Sequence, residues 1–133
     1  MSSNVKYPVI MLVDDNELDN FINKKLLENE NFAQQVIVHQ SAQSALDDLK
    51  QLDGSTDKLP KIIFLDIMMP HMDGFGFLGE FDKLSPSIKK SCKIIMLSTT
   101  ESFKDLNRAN QSPFVYKFLN KPLSKPVLDA IQL

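Results

Sequence analysis

The sequence is short of the residues that mark several classes of protein. Cys92 is its one cysteine, which excludes a disulfide framework, a CxxC redox motif and a cysteine-based zinc site. Basic residues are not in excess: 15 Lys and Arg stand against 17 Asp and Glu, and the net charge of −2 argues against a nucleic-acid or anionic-membrane surface. No apolar run approaches the roughly 20 residues that a membrane span requires.

The composition that remains is typical of a folded globular protein. It is 43% apolar and 24% charged, and 133 residues can bury a core without disulfides or a structural metal. The segment MSSNVKYP has no charged stretch followed by an apolar run, so it does not read as a secretion signal. We therefore expect a cytoplasmic protein with a single domain over residues 1–133 and a core at about 7–132. Cys92 is expected to be a small buried hydrophobe at a strand start.

The apolar pattern alternates between short continuous runs and helical spacing. The continuous runs are typical of strands that are buried on both faces, and they predict strands at 7–13, 35–39, 61–65, 92–98 and 114–119. Helical spacing follows each run. Strands that alternate with helices imply an α/β fold, in which a parallel sheet has helices on both faces and right-handed crossovers.

Some details of the helices can also be predicted. In the first helix, the apolar residues at helical spacing are Leu18, Phe21, Ile22 and Leu26. The last helix is expected at 125–132, and the segment SPSIKKS before the fourth strand is expected to be a loop.

Polar side chains that suit phosphate chemistry follow four of the predicted strands. Asp14 and Asp15 end the first strand, Asp66 the third, Ser98 the fourth and Lys121 the fifth. Parallel α/β sheets bind their ligands just beyond the carboxyl ends of the strands. We therefore expect three carboxylates, a hydroxyl and an ammonium to meet at one edge of the sheet.

The chemistry of this set indicates a phosphoryl-transfer site. Clustered carboxylates repel one another and need a compensating cation, and an all-oxygen ligand set suits Mg²⁺ better than zinc. Lys121 and Ser98 could bind phosphate oxygens that the metal leaves free. The nucleophile would then be a carboxylate, and positioning and charge stabilisation would carry most of the catalysis.

Four segments of the chain closely resemble the receiver domain of two-component response regulators. They are MLVDDNE, IIFLDIMMPHMDG, IIMLST and FLNKP, and the resemblance extends from about Val9 to Ile131. It implies a flavodoxin-like (βα)5 fold, doubly wound, with a parallel five-stranded sheet of order 2-1-3-4-5. It also implies a chemotaxis-regulator-like, single-domain protein, because no residues remain after the last helix for an output domain.

The resemblance also implies roles for individual residues. Asp66 would be the phosphoacceptor, and Asp14 and Asp15 would hold Mg²⁺ or Mn²⁺ together with Asp66 and the backbone carbonyl of Met68. Lys121 would be the phosphate-binding lysine.

Further implied roles concern switching and the shape of the site. Ser98 would be the switch hydroxyl and Phe118 the aromatic that moves with it. The Lys121–Pro122 peptide bond is expected to be cis. The structural residues of the turn after Asp66 would be Pro70 and Gly74.

The sequence departs from the usual family pattern next to the site. Met68 stands where many members carry a polar residue, Thr99 is bulkier than the small residue usual after the switch hydroxyl, and Thr100 replaces a residue that is often acidic or polar. These three positions are expected to tune access to the phosphoryl group and its lifetime. For Asp14 and Asp15 a simpler role is open, because either could cap the helix that follows.

The expected function is therefore a phosphorylation-driven switch and not an enzyme acting on a separate substrate. It would catalyse only its own phosphorylation and dephosphorylation. Its partners would be a sensor histidine kinase or histidine phosphotransfer protein and a downstream protein target, and it would be a monomer or weak dimer. Alternatively, it could be a receiver-like interaction module that no longer depends on phosphorylation.

Three other classes fit less well. A P-loop nucleotidase would need GxxxxGK[ST], which is absent, and in a flavodoxin-like nucleotide binder the segment DDNE would repel phosphate. A haloacid-dehalogenase relative would need an acid where Met68 stands.

Overall fold

The computed structural model describes residues 5–99 and 103–132. Its strands are β1 (Tyr7–Val13), β2 (Ala33–His39), β3 (Ile62–Asp66), β4 (Lys93–Ser98) and β5 (Val115–Asn120). Its helices are α1 (Glu17–Asn29), α2 (Ala42–Gln51), α3 (Gly74–Phe81), α4 (Pro86–Ser91), α5 (Phe103–Asn110) and α6 (Lys125–Asp129). Thr100, one of the predicted tuning residues, lies outside the described residues.

The five strands form one parallel sheet in the order β2-β1-β3-β4-β5, which confirms the predicted fold class and strand order. Side chains alternate between its two faces because successive residues of a strand point in opposite directions. Met11 and Ile63 belong to a core cluster packed against α2, α3, α4 and α5. Ile10 and Phe64 belong to a second cluster packed against α1 and α6. Helices therefore cover both faces, as the continuous apolar strands predict.

The prediction of a loop at SPSIKKS is wrong, because this segment contains α4. The Ser85 hydroxyl accepts a hydrogen bond from the Ile88 N–H and caps the helix, and Pro86 occupies the first turn, where its missing N–H costs nothing. Ile88 is buried and anchors the helix to the core. Burial of one apolar residue and a good cap thus override the polar composition.

The last helix is shorter than predicted, since α6 ends at Asp129. The Ala130 N–H bonds back to the Pro126 and Val127 carbonyls and closes the final turn. Ile131, just beyond it, is fully buried in the core cluster on the α1 side. The end of the helix at Asp129 is thus followed closely by a residue whose side chain is buried in the core.

The helix predicted after the first strand is present as α1, but three of its four predicted apolar residues face solvent, and the fourth, Leu26, is partly buried against the core. Leu18, Phe21 and Ile22 are 64%, 59% and 50% exposed. The face turned to the protein carries Leu27 and two asparagines, of which Asn20 donates from Nδ2 to the Asp14 carbonyl at 2.7 Å. This hydrogen bond to the end of β1 fixes the rotation of the helix.

Strand β5 pairs irregularly with β4. Ile94 pairs with Val115, but the next residue, Ile95, pairs with Lys117, so Tyr116 is an extra residue in β5. Such a bulge bends the strand and leaves the extra residue outside the regular ladder.

Among the described residues, no helix is both long enough and apolar enough to cross a membrane.

Candidate functional site

Four strand ends meet at the carboxyl edge of the sheet. Asp14 directly follows β1, Asp66 is the last residue of β3, Ser98 is the last residue of β4, and Lys121 directly follows β5. Since β1, β3, β4 and β5 are neighbours in that order, these side chains share one rim. The structure thus brings the predicted polar residues to the same edge.

Three carboxylates form a compact group at this edge. Oxygen atoms of Asp14, Asp15 and Asp66 all lie within 4.8 Å of one another. Asp14 and Asp66 are buried, whereas Asp15 is exposed. The donor set consists of hard oxygen ligands and is open to solvent on the Asp15 side, which fits Mg²⁺ or Mn²⁺ and does not fit a soft metal.

Backbone hydrogen bonds fix Asp14 in this group. Its N–H donates to the His39 carbonyl at 3.0 Å, and its Oδ1 accepts from the Asn16 N–H at 2.9 Å. The N-cap of α1 is Asn16, whose side chain accepts from the Asp19 N–H at 2.9 Å. Neither Asp14 nor Asp15 therefore caps this helix, and the simpler role considered for them is wrong.

Lys121 connects the acidic residues. Its Nζ lies 2.7 Å from Asp14 Oδ2, 3.1 Å from Asp66 Oδ1 and 3.2 Å from Asp19 Oδ2. Its backbone N–H donates to the Ser98 carbonyl at 2.8 Å, which ties the ends of β4 and β5 together. The peptide bond to Pro122 is cis, the geometry that the resemblance implies.

The charges of Lys121 and Asp66 act on one another. Burial alone would lower the pKa of Lys121, but its hydrogen bonds and proximity to Asp14 and Asp66 outweigh burial and raise that pKa. For Asp66, burial and the neighbouring Asp14 charge raise the pKa to about 6, although Lys121 opposes them. The ammonium thus offsets only part of the cost of a buried carboxylate cluster.

Asp19 is a site residue that the sequence analysis missed. It lies in the first turn of α1, and its carboxylate is the third one in contact with the Lys121 ammonium. The available signal was its position in a helix that starts beside Asp14, at the edge where Lys121 arrives. Helical spacing alone does not say which way the helix is rotated.

The turn after Asp66 is tightly built. The Met72 N–H donates to the Pro70 carbonyl at 2.8 Å across His71, whose φ of 69° is that of a γ-turn. A Cβ at Gly74 would come within 2.9 Å of the Asp66 carbonyl oxygen, so this position admits only glycine without a shift of the backbone.

Asp66 itself caps no helix. The cap of α3 is Asp73, whose side chain accepts from the Gly76 N–H at 2.8 Å.

The remaining predicted residues lie around the site. Ser98 is buried at the end of β4, and Thr99 after it is exposed. Phe118 on β5 is partly buried against the core cluster on the α2–α5 side. The Met68 side chain is 70% exposed, two residues after Asp66. The switching and tuning roles of these residues stay predictions.

Comparison with known proteins finds similarity to response regulators. Residues 10–132 match the family model of the response regulator receiver domain. The chain is 31% identical over 116 residues to the probable methanogenesis regulatory protein FilR2 of Methanothrix harundinacea, which covers 87% of this chain and 73% of that protein.

Two solved structures are also similar. A two-component response regulator from Cytophaga hutchinsonii superposes with a TM-score of 0.86 at 25% identity, covering 93% of this chain and 92% of that one. A response regulator receiver protein from Dyadobacter fermentans has a TM-score of 0.82 at 30% identity, covering 90% and 91% of the two chains. With the family match spanning most of its length, the chain belongs to the response regulator receiver domains of two-component systems.

Proposed function

We propose that this receiver domain accepts a phosphoryl group on Asp66 from the phosphohistidine of a sensor histidine kinase or a histidine phosphotransfer protein. The observation that carries the proposal is the contact between Lys121 Nζ and Asp66 Oδ1, 3.1 Å, within a group of three carboxylates. A carboxylate that lies beside both a fixed cation and a divalent-metal ligand set is suited to bind and transfer phosphate.

The transfer step is a displacement at phosphorus. A carboxylate oxygen of Asp66 forms a bond to phosphorus while the phosphorus–nitrogen bond to the donor histidine breaks, and the nitrogen keeps the electron pair. The product is an acyl phosphate on Asp66. Lys121 stabilises the negative charge on the phosphoryl oxygens, because its ammonium already lies within hydrogen-bond distance of the reacting carboxylate.

The acidic residues are proposed to hold the metal. Asp14, Asp15 and Asp66, with the backbone carbonyl of Met68, would bind Mg²⁺ or Mn²⁺. When bound, the cation supplies neutralisation of the carboxylates and of the phosphoryl oxygens. Asp14 contributes in a second way, since its hydrogen bond to Lys121 orients the ammonium.

The output is proposed to be a shift between two arrangements of the domain. Phosphorylated Asp66 would bind Ser98 and Lys121 better in one arrangement, and Phe118 would move with Ser98. The surface formed by α5, β5 and α6 would then change its affinity for a protein target. Alternatively, the domain would pass the phosphoryl group onward to another protein. This signalling takes place in the cytoplasm, with a protein that is a monomer or weak dimer.

Incubation with acetyl phosphate and Mg²⁺ tests the proposal. Intact mass is expected to show one added phosphoryl group on the wild-type protein, none on Asp66→Asn, and none on the wild type once a chelator removes the metal. Asp73→Asn is a matched control, because Asp73 is an exposed acid of the same connection and asparagine can also cap α3. It is expected to be labelled like the wild type.

Three results would contradict the proposal or a part of it. Absence of any mass increase on the wild-type protein would favour the interaction module that does not depend on phosphorylation. Equal labelling of the wild type and Asp66→Asn would move the acceptor to another residue. Labelling that persists after chelation would remove the metal from the proposal.

A further inference from the structure

The ammonium of Lys121 is fully engaged by carboxylates. An ammonium has three N–H donors, and three carboxylate oxygens lie within 3.2 Å of Lys121 Nζ. Two of them belong to Asp14 and Asp66, which the proposed function already uses. The third belongs to Asp19, which lies outside the compact group of three acids and has no role in the proposed function.

Asp19 is the most exposed of the three carboxylates that contact the ammonium. Its side chain is 38% exposed, whereas those of Asp14 and Asp66 are 5% and 7% exposed and that of Lys121 is 12% exposed. A phosphoryl donor approaches the site from solvent. Asp19 is therefore the carboxylate of the three that an incoming donor can displace at the lowest cost, because its bond to Lys121 is the least buried.

The position of Asp19 is fixed by its neighbours in the sequence. The Asn16 side chain accepts from the Asp19 N–H at 2.9 Å, and Asn20 donates to the Asp14 carbonyl at 2.7 Å. The first bond caps α1, and the second holds its first turn against the end of β1. The carboxylate of Asp19 thus meets Lys121 with little loss of conformational freedom.

We propose that Asp19 is a positioning residue that restrains phosphorylation by competing with the incoming phosphoryl group for the Lys121 ammonium. The inference rests on the proposed function. In the wild type the donor must displace Asp19 before Lys121 can bind a phosphoryl oxygen, and the negative charge of Asp19 repels an anionic donor. Without this carboxylate, one N–H of Lys121 is available to the donor while the bonds to Asp14 and Asp66 stay in place.

The kinetic test uses the full chain with Mg²⁺ and a range of acetyl phosphate concentrations. Asp19→Asn is expected to raise the second-order rate constant of Asp66 phosphorylation by about threefold to fivefold, the upper part of the range for one exposed ion pair. The higher rate constant is expected to result from a lower acetyl phosphate concentration at half the maximal rate. Asp19→Glu keeps the carboxylate and is expected to stay within about twofold of the wild type.

Glu17→Gln is the matched control. Glu17 is an exposed acid in the same first turn of α1, so its loss changes the net charge and the helix terminus equally, while the ion pairs of Lys121 are left intact. Its rate is expected to remain near that of the wild type. A rate for Asp19→Asn equal to or below the wild-type rate, or an equal gain in Glu17→Gln, would overturn the inference.

A second measurement does not depend on phosphorylation. In metal-free protein, the ¹H–¹⁵N signal of the Lys121 ammonium is expected to shift and to exchange faster with water in Asp19→Asn, but not in Glu17→Gln. An unchanged signal in Asp19→Asn would contradict the contact itself. If the wild-type protein takes up no phosphoryl group, the proposed function fails, and this signal still decides whether Asp19 holds Lys121.

Discussion

At the scale of the residue, the site is a group of charges that attract and repel one another at short distance. Asp66 is held beside Asp14 and Lys121 at the end of a fully buried strand. Its raised pKa, about 6, shows that burial and the Asp14 charge act more strongly on it than the ammonium does. The ionised carboxylate therefore costs the metal-free protein stability, and that cost depends on pH.

The pH dependence of unfolding follows from this shift. Because the pKa of Asp66 rises from its ordinary value of 3.8 to about 6, the folded state binds a proton more tightly than the unfolded state between these values. Stability should fall as the pH rises through this window and level off above it. Asparagine does not ionise, so Asp66→Asn does not lose stability over this pH range. At pH 8 its free energy of unfolding is expected to exceed that of the wild type by up to about 3 kcal/mol.

The measurement is urea unfolding of both proteins in the presence of a chelator, from pH 4 to pH 8. The advantage of Asp66→Asn should be nearly gone by pH 4, which lies close to the unfolded-state pKa of 3.8 and well below the folded-state pKa of about 6. A difference that is independent of pH would show that the Asp66 charge is not its cause.

Met68 is the residue-scale test of the lifetime of the phosphoryl group. Its exposed thioether lies two residues after the proposed acceptor and hydrogen-bonds water poorly. Met68→Asn adds an amide that can hold an attacking water, so the phosphoryl group on Asp66 is expected to be lost several times faster after the donor is removed. Met68→Leu, which stays apolar, is the control; a lifetime in Met68→Asn equal to that of the control would contradict this role.

At the scale of the element, α1 shows what periodicity does and does not determine. Leu18, Phe21 and Ile22 have the spacing of a helix, and the helix is there, but the opposite face is the buried one. The hydrogen bond from Asn20 to the Asp14 carbonyl sets the rotation. A long-range bond of this kind leaves no mark in the local apolar pattern, and Asp19 was missed for the same reason.

Alanine substitutions on the buried and the exposed face of α1 should have different effects on stability. Leu27 is fully buried, so Leu27→Ala is expected to lower the free energy of unfolding by about 2–5 kcal/mol. Phe21 is 59% exposed and contacts the Lys25 ammonium from its own helix, so Phe21→Ala is expected to cost less than about 1 kcal/mol. Chemical denaturation of both variants is the measurement, and a larger loss for Phe21→Ala would mean that the apolar face is buried.

At the scale of the whole molecule, the sheet was the most predictable part. Short continuous apolar runs such as 62–65 that alternate with helical segments indicate a parallel sheet covered on both faces, and the edge where the carboxyl ends of its strands meet follows from that geometry. The strand order came from the family resemblance, since local patterns do not contain it. The helix at Pro86–Ser91 was missed because one buried isoleucine is too weak a periodic signal.

The extra residue in β5 bears on how the sheet ends. β5 is one of its two open edges, and an open edge presents backbone N–H and C=O groups that a strand of another molecule could pair with. At Tyr116 the regular spacing of these groups is broken, so an incoming strand could match only a few residues before losing register. The bulge therefore protects this edge against intermolecular strand addition, and with it against aggregation through β5.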